Sequence, residues 1–279
     1  MPRPRSQLPP VHPPPRTVAA EDFAVDDLVA AKGPRSVSVC LPARNEEATI
    51  ASIVASVVEH LVKGDPLVDE VVVVDDGSTD ATAEVARRAG ARVVATTETG
   101  GKGEALRISL AGSRGDLVAW CDADILDFDP RFVTGLLGPL LVEPSVEFVK
   151  ACYRRDLDGR AGEGGRVTEL LARPLLARLF PHLAGFTQPL AGEFAGRRSV
   201  LERLTFVPGY GVDLGLLIDV AGLVGVDAMV QVDLGRRSHR NRRLAELAPQ
   251  ADAVLAVALD RAAIPPSGSG SGSGPKGDR

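Results

Sequence analysis

Residues 70–90 read EVVVVDDGSTDATAEVARRAG, and this stretch decides the fold. A near-continuous valine run is the pattern of a parallel strand covered on both faces, where no side chain has to meet water. The run ends in two aspartates and a glycine. Ser78, Thr79 and Asp80 then offer N-cap oxygens to the helix ATAEVARRA, which Gly90 ends. A strand, a polar turn and a helix in immediate succession are half of a βαβ unit.

Outward from there the rhythm repeats. SVSVCL (36–41) is a β-branched strand broken by PARNEE, and ATIASIVASVVEHLV (48–62) carries apolar residues at helical spacing. ARVVAT (91–96) is a strand, GKGEALRISLAG (101–112) a helix and DLVAWC (116–121) a strand. This alternation with short loops predicts an α/β fold with a doubly wound, mostly parallel sheet and a Rossmann-like first half. Beyond Asp124 the pattern changes. DPRFVTGLLGPLL (129–141) reads as a helix, VEFVKACYR (146–154) as extended, and GRVTELLARPLLARLF (165–180) as a helix interrupted by Pro174. GEFAGRR (192–198) follows as a short strand, GYGVDLGLLIDVAG (209–222) as a helix and MVQVDLG (229–235) as a strand. RLAELAPQADAVLAVALDRAA (243–263) makes a long C-terminal helix. The expected boundaries are a disordered proline-rich arm over 1–19, an α/β half over 20–125, a second half with the C-terminal helices over 126–264, and a flexible Gly/Ser tail over 265–279.

Bulk composition narrows the function. With 44% apolar and 25% charged residues the chain has a globular composition, and its net charge of −5 argues against a nucleic-acid partner. No apolar run approaches membrane-spanning length, and MPRPRSQLPPVHPPPR lacks the apolar core of a signal peptide. Cys40, Cys121 and Cys152 are widely spaced with no CxxC, so three reduced thiols in a cytoplasmic protein are expected rather than a disulfide or zinc framework.

In parallel α/β sheets, ligands sit at the carboxyl ends of the strands. Those ends read PARNEE, DDGSTD, TETGGKGE and DAD. They supply acceptors for a sugar or base (Glu46, Asp76), a glycine-flanked cation (Lys102) and a carboxylate pair (Asp122, Asp124). Each piece alone has a plainer reading: a turn with a helix cap, a simple turn, a solvated loop. Neither GxxxxGK[ST] nor GxGxxG occurs. Two aspartates at i and i+2 on an extended strand end point to the same side. They can meet a hard cation, which prefers oxygen ligands and keeps some waters. A nucleotide-sugar diphosphate with a divalent cation accounts for all four ends at once.

The set PARNEE, VVVVDDGSTDAT, the lysine between glycines and WCDAD resembles the GT-A-type, metal-dependent glycosyltransferases, in which Asp-x-Asp holds Mg2+ or Mn2+ against the nucleotide diphosphate. GRVTELLARPLL (165–176), QPLAGEFAGRR (188–198), PGYGVDLGLLID (208–219) and QVDLGRRSHRN (231–241) further resemble the glucosyl-3-phosphoglycerate synthases of actinobacteria. By that resemblance Pro42, Ala43, Arg44 and Glu46 line the uridine pocket with Asp76 and Ser78, and Lys102 approaches the nucleotide. Asp122, Ala123 and Asp124 form the donor and metal edge, with Asp124 the direct ligand and His239 completing the metal site. The resemblance places the acceptor at Gly165, Arg166 and Thr168, at the start of a helix whose free N–H groups suit an anion, together with Asn241. It gives a retaining reaction, with the Leu190 carbonyl near the anomeric carbon and Asp213 holding sugar hydroxyls. Asp213 stands where the family often has Glu, and Arg44 where an apolar residue is expected.

The implied activity is transfer of glucose from UDP-glucose to the 2-hydroxyl of 3-phosphoglycerate, aided by Mg2+ or Mn2+, in a cytoplasmic homodimer, with Lys102, Leu190 and Asp213 nearest the reaction. GDP-mannose is the alternative donor. A nucleotidyltransferase and a sugar-nucleotide-binding regulator are the rivals from other classes.

Overall fold

A computed structural model describes residues 15–96, 100–157, 160–161, 165–237 and 244–262. Its framework is one mixed sheet. The strands are β1 (Arg16–Ala19), β2 (Val37–Ala43), β3 (Glu70–Asp75), β4 (Arg92–Ala95), β5 (Leu117–Trp120), β6 (Phe148–Leu157), β7 (Arg160–Ala161), β8 (Phe194–Arg197) and β9 (Met229–Arg237). Their order is β1-β9-β6-β8-β5-β2-β3-β4, with β7 pairing β6 off this path. Within the order every neighbouring pair is parallel except those of β8, which is antiparallel to both β5 and β6. That reversed strand joins the second half of the chain to the first in a single sheet.

The helices are α1 (Val25–Lys32), α2 (Ile50–Val57), α3 (Thr82–Arg88), α4 (Gly101–Gly112), α5 (Arg131–Val142), α6 (Arg173–Leu179), α7 (Arg198–Leu201), α8 (Val212–Val224) and α9 (Leu244–Ala262). The valine run of β3 is explained by burial on both faces. Val71 and Val73 enter a core shared with α1, α2, α3 and α5, while Val72 and Val74 enter a second core shared with α4, α6, α8 and α9. At roughly 1.5–3 kcal/mol for each fully buried valine-sized side chain, these two cores are what hold the strands in place. The second layer is the one that carries the chemistry.

Three differences from the sequence reading have physical causes. Residues 16–19, assigned there to the arm, pair in parallel with β9, Arg16 opposite Val230. The helix expected over 48–62 is α-helical only over Ile50–Val57 and continues as a π-turn over Val58–Gly64, because apolar spacing reports which side faces the core and not which carbonyl accepts. The helix over 165–180 likewise begins with a π-turn, Thr168–Ala172, and Pro174 sits in the first turn of α6. Pro174 has no N–H to give the preceding turn, and the wider turn before it absorbs that loss.

Candidate active site

The loops after β2 and β3 are laced together by side chains. Asn45, at φ 56°, accepts from the Thr79 N–H through Oδ1 (2.8 Å), while its own N–H donates to Ser78 Oγ (2.9 Å). The Glu46 N–H donates to Thr82 Oγ1 (2.8 Å), and the Ala81 N–H donates to Glu47 Oε2 (2.9 Å). Pro42 and Ala43 close β2 beneath this lacing, and the Arg44 side chain is exposed. Asp76 is buried at the head of α4, where Oδ1 accepts from the Gly100 N–H (3.0 Å) and Oδ2 from the Gly101 N–H (3.1 Å). A carboxylate at the positive end of a helix is favourably placed, so Asp76 fixes where α4 begins.

That placement matters because α4 carries Lys102. Its ammonium donates to Asp213 Oδ2 at 2.9 Å and stands 3.2 Å from Asp122 Oδ1. Asp122 follows β5, and Asp213 lies in the first turn of α8, so residues far apart in the chain converge on one cation. The Asp213 side chain is only 5% exposed. Burial works against the Lys102 charge, but Asp122 and Asp213 outweigh it and hold the ammonium well above the ordinary lysine pKa.

The glycines flanking Lys102 have a clear role. A Cβ on Gly103 would stand 1.8 Å from the Val207 carbonyl oxygen, so the bare backbone lets α4 seat against the segment leading to α8. On the other side of the cluster, a Cβ on Gly192 would stand 2.0 Å from Asp122 Oδ1. The loop before β8 thus closes tightly over the first aspartate of DAD. Thr49 Oγ1 donates to the Ala123 carbonyl at 2.7 Å and ties the middle of DAD to the head of α2.

A cation fits the donors here by chemistry. Asp122 and Asp124 offer carboxylate oxygens at the strand end, and a hard divalent ion shared with substrate phosphates needs only one or two protein carboxylates. Among the described residues no three His, Cys, Asp or Glu side chains gather as a ready cage. His239, expected to complete the metal site with Asp124, and Asn241, expected at the acceptor, lie outside the described residues. Gly165, at φ 79°, opens the helical turn where its carbonyl accepts from the Glu169 N–H (2.9 Å), with Arg166 and the buried Thr168 following. Val167 packs against the core shared by α4 and α8, so this helix start belongs to the same layer as Lys102 and Asp213. Leu190, partly buried against that core, lies in the turn where the Ala191 N–H donates to the Gln188 carbonyl (3.0 Å).

Two side chains escaped the sequence reading. Asn45 builds the lacing of the first two loops; an Asn between a strand end and a helix was its signal. Lys150, the third residue of β6, is wholly buried. Burial, opposed by Asp213 and Asp122 and reinforced by Lys102, lowers its pKa to about 8, so it remains a cation at neutral pH. Its signal was a lysine inside the apolar run VEFVKACY.

Comparisons with known proteins point to one family of enzymes. Residues 38–205 match the family model of glycosyl transferase family 2. The chain is 50% identical over 262 residues to the glucosyl-3-phosphoglycerate synthase of Mycolicibacterium paratuberculosis, covering 89% of this chain and 79% of that relative. It is similar to the glucosyl-3-phosphoglycerate synthase of Mycobacterium tuberculosis, solved with Mg2+ and UDP and also with Mn2+, UDP-glucose and phosphoglyceric acid. In both cases the TM-score is 0.82 at 46% identity, covering 91% of this chain and 89% of that one. It is also similar to the mannosyl-3-phosphoglycerate synthase of Rubrobacter xylanophilus, with a TM-score of 0.83 at 42% identity over 88% of this chain and 80% of that one.

Proposed function

This chain belongs to glycosyl transferase family 2, and we propose that it transfers glucose from UDP-glucose to the 2-hydroxyl of 3-phosphoglycerate with retention. The observation that carries this reading is the convergence of Asp122 and Asp213 on Lys102 at the carboxyl end of the sheet. The rival nucleotidyltransferase and regulator readings lose their ground with membership of a glycosyltransferase family.

In this mechanism the chain's own groups bind and orient. The laced loops hold the uridine, with Pro42, Ala43, Arg44, Glu46, Asp76 and Ser78 around it. Lys102 turns its ammonium to the diphosphate. Asp124 and His239 would hold Mg2+ or Mn2+, with Asp122 beside it, and the ion would supply Lewis-acid neutralisation of the leaving diphosphate. Asp213 accepts from sugar hydroxyls, and the Leu190 carbonyl faces the anomeric carbon. Gly165, Arg166, Thr168 and Asn241 hold the acceptor's phosphate and carboxylate, where N–H groups and a guanidinium suit an anion. No carboxylate is required as a nucleophile: attack on the face the diphosphate leaves lets its own oxygen take the acceptor proton. The protein's contribution is positioning and charge stabilisation.

All three cysteines are buried and none is in a disulfide, which supports a cytoplasmic enzyme. No helix among the described residues is long and apolar enough to cross a membrane. A homodimer belongs to the same proposal, tested by light scattering.

GDP-mannose is kept as a second donor because of the likeness to the mannosyl enzyme. A panel of nucleotide sugars against 3-phosphoglycerate, with and without Mg2+, tests the reading. Transfer from UDP-glucose supports it, and transfer from GDP-mannose alone replaces it with the second reading. No transfer from any nucleotide sugar sinks both.

A further inference from the structure

Across the centre of the sheet one register row runs from Trp120 of β5 to Phe194 of β8, then to Lys150 of β6 and Gln231 of β9. Trp120, Phe194, Phe148 and Met229 all enter the core of the α4/α8 layer. Lys150 lies two residues after Phe148 and Gln231 two after Met229, so both point to that same face. Asp122 lies two residues beyond Trp120, one row further toward the site. Lys150 therefore forms part of the floor beneath the cluster of Lys102, Asp122 and Asp213.

This floor position is unusual for a charge. The Lys150 amine stands 5.1 Å from the centroid of the Phe194 ring, which itself stacks on Trp120 at 4.8 Å. Apart from that contact with a ring face, its buried Nζ has no hydrogen-bond partner among the described residues. The neighbouring Gln231 is spent elsewhere: its Oε1 accepts from the Thr187 N–H, and its Nε2 donates to the Gly185 carbonyl and Thr17 Oγ1. Asp213 Oδ1 is likewise buried without a hydrogen-bond partner, while its Oδ2 accepts from Lys102. A donor and an acceptor are thus both left over within one buried charge cluster. Leaving buried polar atoms without partners costs free energy, and a second arrangement that brings the Lys150 amine to Asp213 recovers it.

We propose that Lys150 is a positioning residue that becomes the counter-charge of Asp213 when a nucleotide diphosphate draws Lys102 away. The inference rests on the reading of this site as a nucleotide-diphosphate site. Without ligand, Lys102 is ion-paired with both aspartates. A diphosphate competes for that ammonium, and Asp213 would be left buried and unpaired. The Lys150 amine, on the floor of the same cluster, then takes its place and keeps Asp213 ionised and oriented toward the sugar.

Calorimetric binding of UDP in the presence of Mn2+ tests this without turnover. Lys150→Met should weaken binding about tenfold, and Lys150→Arg, which keeps the charge, should restore most of it. In an Asp213→Asn background the same Lys150→Met change should have little further effect, because no charge remains to balance. The ligand-free Lys150→Met protein should melt no lower than wild type; Lys150→Gln serves the same comparison if the methionine variant does not fold. Unchanged UDP binding in Lys150→Met, or a loss equally large in the Asp213→Asn background, would overturn the proposal. Wild-type protein that binds UDP with Mn2+ but transfers no glucose would defeat the functional reading and leave Lys150 decided by binding. Wild-type protein that does not bind UDP with Mn2+ at all would defeat both.

Discussion

At the scale of single residues, the aspartates of DAD and the buried lysines carry the sharpest expectations. Asp124→Ala removes the proposed metal ligand, and its loss of charge stabilisation is on the order of several kcal/mol, or a thousandfold or more in rate. Wild-type rates in that variant, measured under saturating Mn2+, would reject the assignment. Gly192→Ala acts on Asp122 from the other side: the added Cβ would occupy the space of its carboxylate, so Asp122 must move. The measurable result is a fall in kcat/KM for UDP-glucose of about tenfold or more, of the size seen when groups supporting a metal site are lost. Lys150 makes a prediction about pH. Its pKa of about 8 in the folded protein lies below the ordinary lysine value of 10.5, so above pH 8 the unfolded chain binds more protons. Stability of the ligand-free protein should therefore rise with pH from about 8 toward 10.5, and denaturant titrations of Lys150→Met should lose that rise. The aspartate pair stood out in the sequence because it directly follows an apolar run, but Ala123 and Asp124 lie in a turn beyond β5, where strand alternation does not apply. Lys150 did not, because nothing local says that a lysine in a strand lies under an active site.

At the scale of elements, the decisive contact is between the start of α4 and the segment entering α8. The sequence showed a lysine between glycines, but not what that glycine backbone packs against. The structure answers that the close approach is to the chain's own Val207, and this brings Lys102 to Asp213. Gly103→Ala should cost about 1–3 kcal/mol, as overpacking does, and weaken UDP binding as well. Denaturant midpoints and calorimetry check the two effects separately; an unaltered protein on both counts would mean the approach is not as tight as described. β2, β3, β4 and β5 were readable as elements because each has its own apolar run and its own following helix. The reversal of β8 was not, since strand direction within a sheet is set by partners distant in sequence. The π-turns were equally hidden, because they leave the buried stripe unchanged.

At the scale of the whole molecule, one sheet spans both halves of the chain, and the reversed β8 is the join. The first half contributes the laced loops, Lys102 and the aspartate pair; the second contributes Asp213, Leu190 and the helix start at Gly165. Neither half holds the proposed site alone, and this fits a transferase that must bring a donor and an acceptor together. The order of motifs along the chain carried that much before the fold was seen. The distances between the charges depended on packing and could not be read from it. The most direct test is transfer of glucose from UDP-glucose to 3-phosphoglycerate, followed by NMR of the product with and without Mg2+. The account predicts a metal-dependent glucosyl-3-phosphoglycerate with an α-anomeric proton signal; a β-linked product, or no product from UDP-glucose, would contradict it.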